Sequence, residues 1–136
     1  MFRAYASVAG LTFECTYLNN KLTVPVPFLE IHGNADKAAM WQGDHENSGG
    51  WGAYIPVPLA VASIANNNRC TKLTTDTIAS KVDPDRMITR YVYSGAPSGM
   101  DVVVYEIDGG IHSWPDKDLD TGEIIWQFFA PYEKKD

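Results

Sequence analysis

Two apolar runs in this chain each stop at a loop dense in turn-forming residues, and each loop carries one polar side chain suited to proton transfer. The first run, Val24 to Ile31 (Val-Pro-Val-Pro-Phe-Leu-Glu-Ile), ends at His32-Gly33-Asn34-Ala35-Asp36. Its prolines lie in the first half, where a strand is entering a sheet and a missing N–H is tolerated. The second run, Val102 to Ile107, is β-branched and aromatic almost throughout and leads into a loop, Asp108 to Lys117, that holds His112. In an open parallel sheet, ligands bind outside the carboxyl ends of the strands, so Asp36 and His112 are expected to meet at one crevice.

Around these runs the chain reads as strand, strand, helix, hairpin, helix. Ala4 to Ala9 is small and apolar and predicts a buried strand ending at Gly10. Residues 42–52 (Gln-Gly-Asp-His-Glu-Asn-Ser-Gly-Gly-Trp-Gly) suit neither helix nor regular strand and predict a surface loop. Pro56 and Pro58 open a helix whose Val57, Val61, Ile64 and Ala65 share one face and which ends at Asn66 to Asn68. Ile88 to Tyr93 alternates, and Ser-Gly-Ala-Pro-Ser-Gly joins it to Val102–Ile107 as a hairpin. Asp120-Thr-Gly-Glu123 is a capping-box-like opening to a helix carrying Ile124, Ile125, Phe128, Phe129 and Tyr132, and Glu133-Lys-Lys-Asp is a solvated tail. This order fits the second half of an α/β sheet, with too few strands for a free-standing doubly wound domain.

Composition narrows the functions. A balance of 11 basic against 17 acidic residues, net −6, with no Lys/Arg cluster, argues against nucleic acid and against an anionic membrane face. No apolar run reaches the length of a bilayer span. The segment Met1 to Gly10 lacks a basic region followed by an apolar core, so it is not a signal peptide and, taken literally, points to an intracellular protein. Cys15 and Cys70 fit one disulfide or two thiols equally well, and no His/Cys cluster has zinc spacing.

An aspartate can accept from one imidazole nitrogen, fix the tautomer and stabilise the imidazolium formed during acyl transfer. Gly109 and Gly110 let the backbone turn and bring the His112 ring to the edge. The plain alternative is that Asp36 caps a turn and His112 is a partly buried loop residue. His32 lines the site or, more simply, is a strand-end histidine bonded to backbone; His45 is solvated. Trp41, Trp51 and Trp114 offer an aromatic platform or ordinary packing, with Trp114, beside His112, the best placed for substrate contact. Asp116-Lys-Asp118-Leu-Asp120-Thr-Gly122 has the look of a calcium loop, but its glycine comes one position late and Gln127 stands at the twelfth position, so no metal is expected.

His32-Gly33-Asn34-Ala35-Asp36 resembles the H-G-x-x-D acid motif of α/β-hydrolases, and Gly109-Gly110-Ile111-His112-Ser113-Trp114-Pro115 resembles the G-G-x-H-x-W-P motif of secreted feruloyl esterases and polyhydroxybutyrate depolymerases. The likeness extends from about residue 4 to residue 132 through the loop after the acid, the helix closing in Asn-Arg-Cys, the Tyr-Ser-Gly hairpin and the Ile-Trp-Gln-Phe-Phe helix. It implies the C-terminal half of an α/β-hydrolase sheet with flanking helices. It also implies a Ser-His-Asp ester hydrolase without cofactor or metal, secreted, acting on small or polysaccharide-linked esters such as those of xylan. Asp36 and His112 would be catalytic and Trp114 substrate-binding.

Two departures qualify this. No serine stands in the nucleophile pattern G-x-S-x-G, so the N-terminal half with the nucleophile elbow is expected to be absent from these residues. Ala96 stands where many relatives carry a cysteine, which leaves Cys70 without that partner. Three functions follow: a fragment of a feruloyl esterase or depolymerase, a non-catalytic carbohydrate- or ester-binding remnant, and a subunit completed by another chain. Oligomeric state is open.

Overall fold

The computed structural model describes residues 3–19 and 22–133. Five strands form one mixed sheet. In chain order the elements are β1 (Tyr5–Val8), β2 (Thr12–Phe13), α1 (Glu14–Asn19), β3 (Phe28–Gly33), β4 (Tyr54–Ile55), α2 (Val57–Asn68), β5 (Lys72–Ala79), β6 (Met87–Ser94), β7 (Val102–Ile107) and α3 (Thr121–Phe129), with a closing 3-10 turn, Ala130–Tyr132. The sheet order is β1-β3-β7-β6-β5, while β2 and β4 pair separately.

Pairing divides the sheet in two. β1, β3 and β7 run parallel, with Phe28 opposite Val102 and His32 opposite Glu106. β7, β6 and β5 run antiparallel. The links 80–86 and 95–101 are too short for a parallel crossover, which takes a dozen or more residues, so each must return its strand as a hairpin. The expected C-terminal half of an α/β-hydrolase sheet with flanking helices, lacking the half with the nucleophile elbow, is therefore corrected. These residues form a mixed sheet of five strands with three helices, and strand and loop outweigh helix. Of the five strands in this sheet, the one without a counterpart in the sequence pattern is β5, Lys-Leu-Thr-Thr-Asp-Thr-Ile-Ala. Its threonines favour extended backbone, but it is exposed along most of its length and so shows no apolar face to betray it.

The pleat sends alternate side chains to two cores. On one face Leu29, Ile31, Ile88, Val103, Tyr105 and Ile107 pack with Leu119 and with Ile124, Ile125 and Phe128 of α3. On the other, Val102 and Val104 pack under Val57, Val61 and Ala65 of α2. Each of these fully buried aliphatic side chains contributes about 1.5–3 kcal/mol.

α2 opens as expected, with Pro56 at its N-cap, and closes on Arg69 in a left-handed conformation. Asn68, buried at its end, donates to the carbonyls of Val26 (2.6 Å) and Met100 (3.0 Å) and accepts from the Val26 amide at 2.9 Å. Asn68 supplies Val26, flanked by prolines ahead of the strand, with the two hydrogen bonds that a strand neighbour would have given. β3 accordingly begins at Phe28 and runs on to Gly33, two residues past the expected stop. The Asp120 side chain caps α3 by accepting from the Glu123 amide. The expected tail lies, from residue 134, outside the described residues. Among the described residues no helix is long and apolar enough to cross a membrane.

Candidate functional site

The site forms where β3 and β7, paired side by side, reach their carboxyl ends. Beyond the last rung their backbones stay in register: the Asn34 amide donates to Ile107 O (3.0 Å) and the Ala35 amide to Gly110 O (3.0 Å). The approach is so close that a Cβ on Gly33 would lie 2.2 Å from Gly110 O. Asn34 laces the two loops together. Its side-chain Oδ1 accepts from the Gly109 amide (2.8 Å), and its side-chain Nδ2 donates to Glu106 (3.0 Å) and Asp108 (3.1 Å). Gly109 turns the chain at φ +66°, a region that L side chains rarely adopt.

These constraints bring Asp36 and His112 into contact. His112 Nδ1–H donates to Asp36 Oδ2 at 2.8 Å. The other oxygen, Oδ1, accepts from the amides of Ala38 (2.8 Å) and Ala39 (2.9 Å), as an aspartate at the head of a tight turn does. Asp36 therefore both caps its own turn and holds the imidazole. Its side chain is fully buried, while that of His112 is about half exposed. The carboxylate is thus fixed on the protein side, and the ring's second nitrogen, Nε2, has no hydrogen-bond partner among the described residues. That nitrogen is the one a hydroxyl nucleophile would use.

Behind Asp36 sits His32, buried at the end of β3. Its Nε2 lies 2.7 Å from the Ala39 carbonyl and 3.6 Å from Asp36 Oδ2, and its Nδ1 lies 2.8 Å from Glu30 Oε1. It bonds backbone, the plainer of its two readings, and adds a buried carboxylate contact that the sequence reading did not include. Burial works against its charged form. The Glu30 hydrogen bond, the Ala39 carbonyl and the charges of Glu30 and Asp36 outweigh that, and its pKa stands above the ordinary 6.5. Trp41 presents to the His32 ring at 5.9 Å and tops the α2 core, so it packs rather than forming a platform.

Trp114 stands two residues beyond His112, about half exposed, its indole N–H donating to Asp116 at 2.9 Å. With Ile111, Ser113 and Pro115 it borders a cavity of about 520 Å3 that reaches down to Ile31 and Ile107. Trp51 is exposed on the 42–52 loop, which folds around Asp44. The Gly49 and Ser48 amides donate to that carboxylate and hold it below its ordinary pKa. His45 pairs with Glu14 on the surface.

The aspartates of the calcium-like segment are engaged elsewhere: Asp118 accepts from Ser80 and Arg86, and Asp120 caps α3. Among the described residues no group of three or more His, Cys, Asp or Glu side chains is placed to hold a metal. Cys15 and Cys70 are free thiols.

Glu30 and Asn34 are the site residues that sequence reasoning missed. Asn34 lay inside the quoted motif, and its two-sided amide after a strand end was the available signal. Comparison with protein-family models and with curated proteins finds no match to this chain.

Proposed function

We propose that this chain supplies the acid and imidazole of a serine-type carboxylic-ester hydrolase, with Asp36 orienting His112 as general base and acid. The observation that carries the reading is the asymmetric hold on Asp36. One oxygen is locked by two backbone amides, the other takes the His112 Nδ1–H, and Nε2 of the half-exposed ring is left without a partner among the described residues. In the reaction, Nε2 takes the proton of a serine hydroxyl as the oxygen attacks the ester carbonyl. The imidazolium, stabilised by Asp36, then returns the proton to the departing alcohol, and water repeats the sequence to release the acid. No serine of the chain has the G-x-S-x-G setting, and none of the described serine hydroxyls bonds His112, so the proposal places the nucleophile outside residues 3–133.

Trp114 and Ile111, exposed neighbours of His112 in the chain that both line the adjoining cavity, offer apolar surface suited to an aromatic acyl group such as a feruloyl ester on extracellular xylan. The test is hydrolysis of methyl ferulate, acetylated xylan and a 3-hydroxybutyrate oligomer by the protein form that carries this chain together with its nucleophile. His112→Ala is expected to lower turnover by about 10^5-fold or more, since base and acid are lost together. Unchanged turnover in that variant, or no ester hydrolysis by any form, overturns the proposal.

A further inference from the structure

A proton count around His32 leads beyond the Asp36–His112 pair. The Ala39 carbonyl carries no proton, so the 2.7 Å contact obliges His32 Nε2 to donate. The 2.8 Å contact between Nδ1 and Glu30 Oε1 needs a second proton between them, and that same oxygen also accepts from the Gly10 amide at 3.1 Å. Of the two groups a carboxyl is ordinarily the stronger acid, and a backbone amide donating to the same oxygen favours its ionised form, which puts the proton on the ring.

We propose that Glu30 and His32 form a buried ion pair whose imidazolium faces Asp36 and positions it for His112, a second carboxylate–imidazole pair set in series behind the first. Its functional consequence rests on the ester-hydrolase reading above; the ion pair itself does not.

The surroundings fit. The charged groups facing His32 are Glu30 from its own strand, Asp36 from the following turn and Glu106 across β7, and Trp41 closes the remaining side. No lysine or arginine among the described residues bonds any of these three carboxylates, which leaves His32 as the local source of positive charge. Geometry adds to charge. Asp36 holds the 36–39 turn through two amides, and His32 anchors the same turn through the Ala39 carbonyl, so the carboxylate gives up both amide bonds if it swings away from His112, and His32 keeps in place the turn that supplies them. Glu30 and His32 are positioning residues: neither reaches the exposed edge where a substrate would lie.

The experiment is nuclear magnetic resonance of the whole chain with isotope-labelled histidine, read for the protons on each ring nitrogen across a pH series. Wild-type His32 is expected to carry both ring protons at about pH 7.5, where an unperturbed histidine carries one. Glu30→Gln is expected to leave it with one at the same pH. In Glu30→Gln and in His32→Gln, the His112 Nδ1–H bonded to Asp36 is expected to broaden through faster exchange. A purely structural role would leave that signal untouched in any variant that folds.

A neutral His32 in the wild type overturns the proposal, and does so even where the variants fail to fold. A His112 signal that stays sharp in folded Glu30→Gln overturns the positioning role alone. A wild-type chain with a doubly protonated His32 but no Asp36-bonded proton on His112 refutes the catalytic pair, and the positioning role with it, while the ion pair stands.

Discussion

Gly33→Ala is the sharpest perturbation of the joint that holds the site. The new methyl would lie 2.2 Å from Gly110 O, 2.3 Å from Gly110 C and 2.7 Å from Gly110 Cα. These are backbone atoms, and the Gly110 peptide is pinned from both ends, its amide to Ile107 O and its carbonyl to the Ala35 amide. Relief therefore requires β3 and β7 to part at their ends. Overpacking of this kind costs about 2 kcal/mol, and losing the Ala35–Gly110 hydrogen bond adds about 1 kcal/mol. At a urea dependence of about 1.5 kcal/mol per molar, the sum of about 3 kcal/mol lowers the unfolding midpoint by about 2 M. Gly122→Ala is the control. It lies in α3 with open space around its Cβ position and should raise stability by about 0.5–1 kcal/mol. Chemical denaturation followed by circular dichroism measures both. A Gly33→Ala midpoint within experimental error of the wild type would refute the claim that this contact is rigid.

The isolated chain is expected neither to hydrolyse methyl ferulate nor to take up a fluorophosphonate label, because no described serine hydroxyl bonds His112; stoichiometric labelling would contradict this. On the proposed ester-hydrolase role, Asp36→Asn in the form that carries the nucleophile should cut turnover by about 10^4-fold, less than His112→Ala does, by favouring the wrong tautomer of His112, and stopped assays on a fluorogenic ester would show it. His32 has a folded-state pKa above its unfolded value of about 6.5. Its contribution to stability is therefore full below that value and is lost as pH rises through the folded pKa. Asp44, held below its ordinary value of 3.8, behaves oppositely, contributing above that value and losing its contribution as pH falls. Urea midpoints on the alkaline side should accordingly fall with pH in the wild type and lose that slope in His32→Gln.

Much of this was legible in the order of residues, for identifiable reasons. β7 and the hairpin strand β6 announce themselves because β-branched residues are bounded by Gly-Ala-Pro-Ser-Gly, and α2 because prolines open it and three asparagines close it. Asp36 and His112 stand out because each follows a strand end. What sequence hid is pairing direction and burial depth. Nothing in Lys72–Ala79 says that it lies antiparallel at a sheet edge, since an exposed strand bears no apolar stripe. Nothing in Glu30 marks it as buried, because its burial depends on a histidine two residues on and a glycine amide twenty residues back. Short elements such as β2 and β4 rest on each other across forty residues, a distance that local pattern cannot see.

The bond between Asp36 and His112 joins residues 76 apart in the chain. Everything between them, the 42–52 loop, α2, β5 and β6, leaves β3 and returns to β7 before the two groups can meet. Closing so long a span makes the contact late in folding, since non-local pairings repay their entropy only once most of the sheet has assembled. The same span makes it tolerant of length: loop-closure entropy grows only logarithmically, so even doubling the intervening chain would cost about 0.6 kcal/mol. The 42–52 loop can therefore be rebuilt or extended with little effect on the joint, whereas one methyl group at Gly33 acts on it directly.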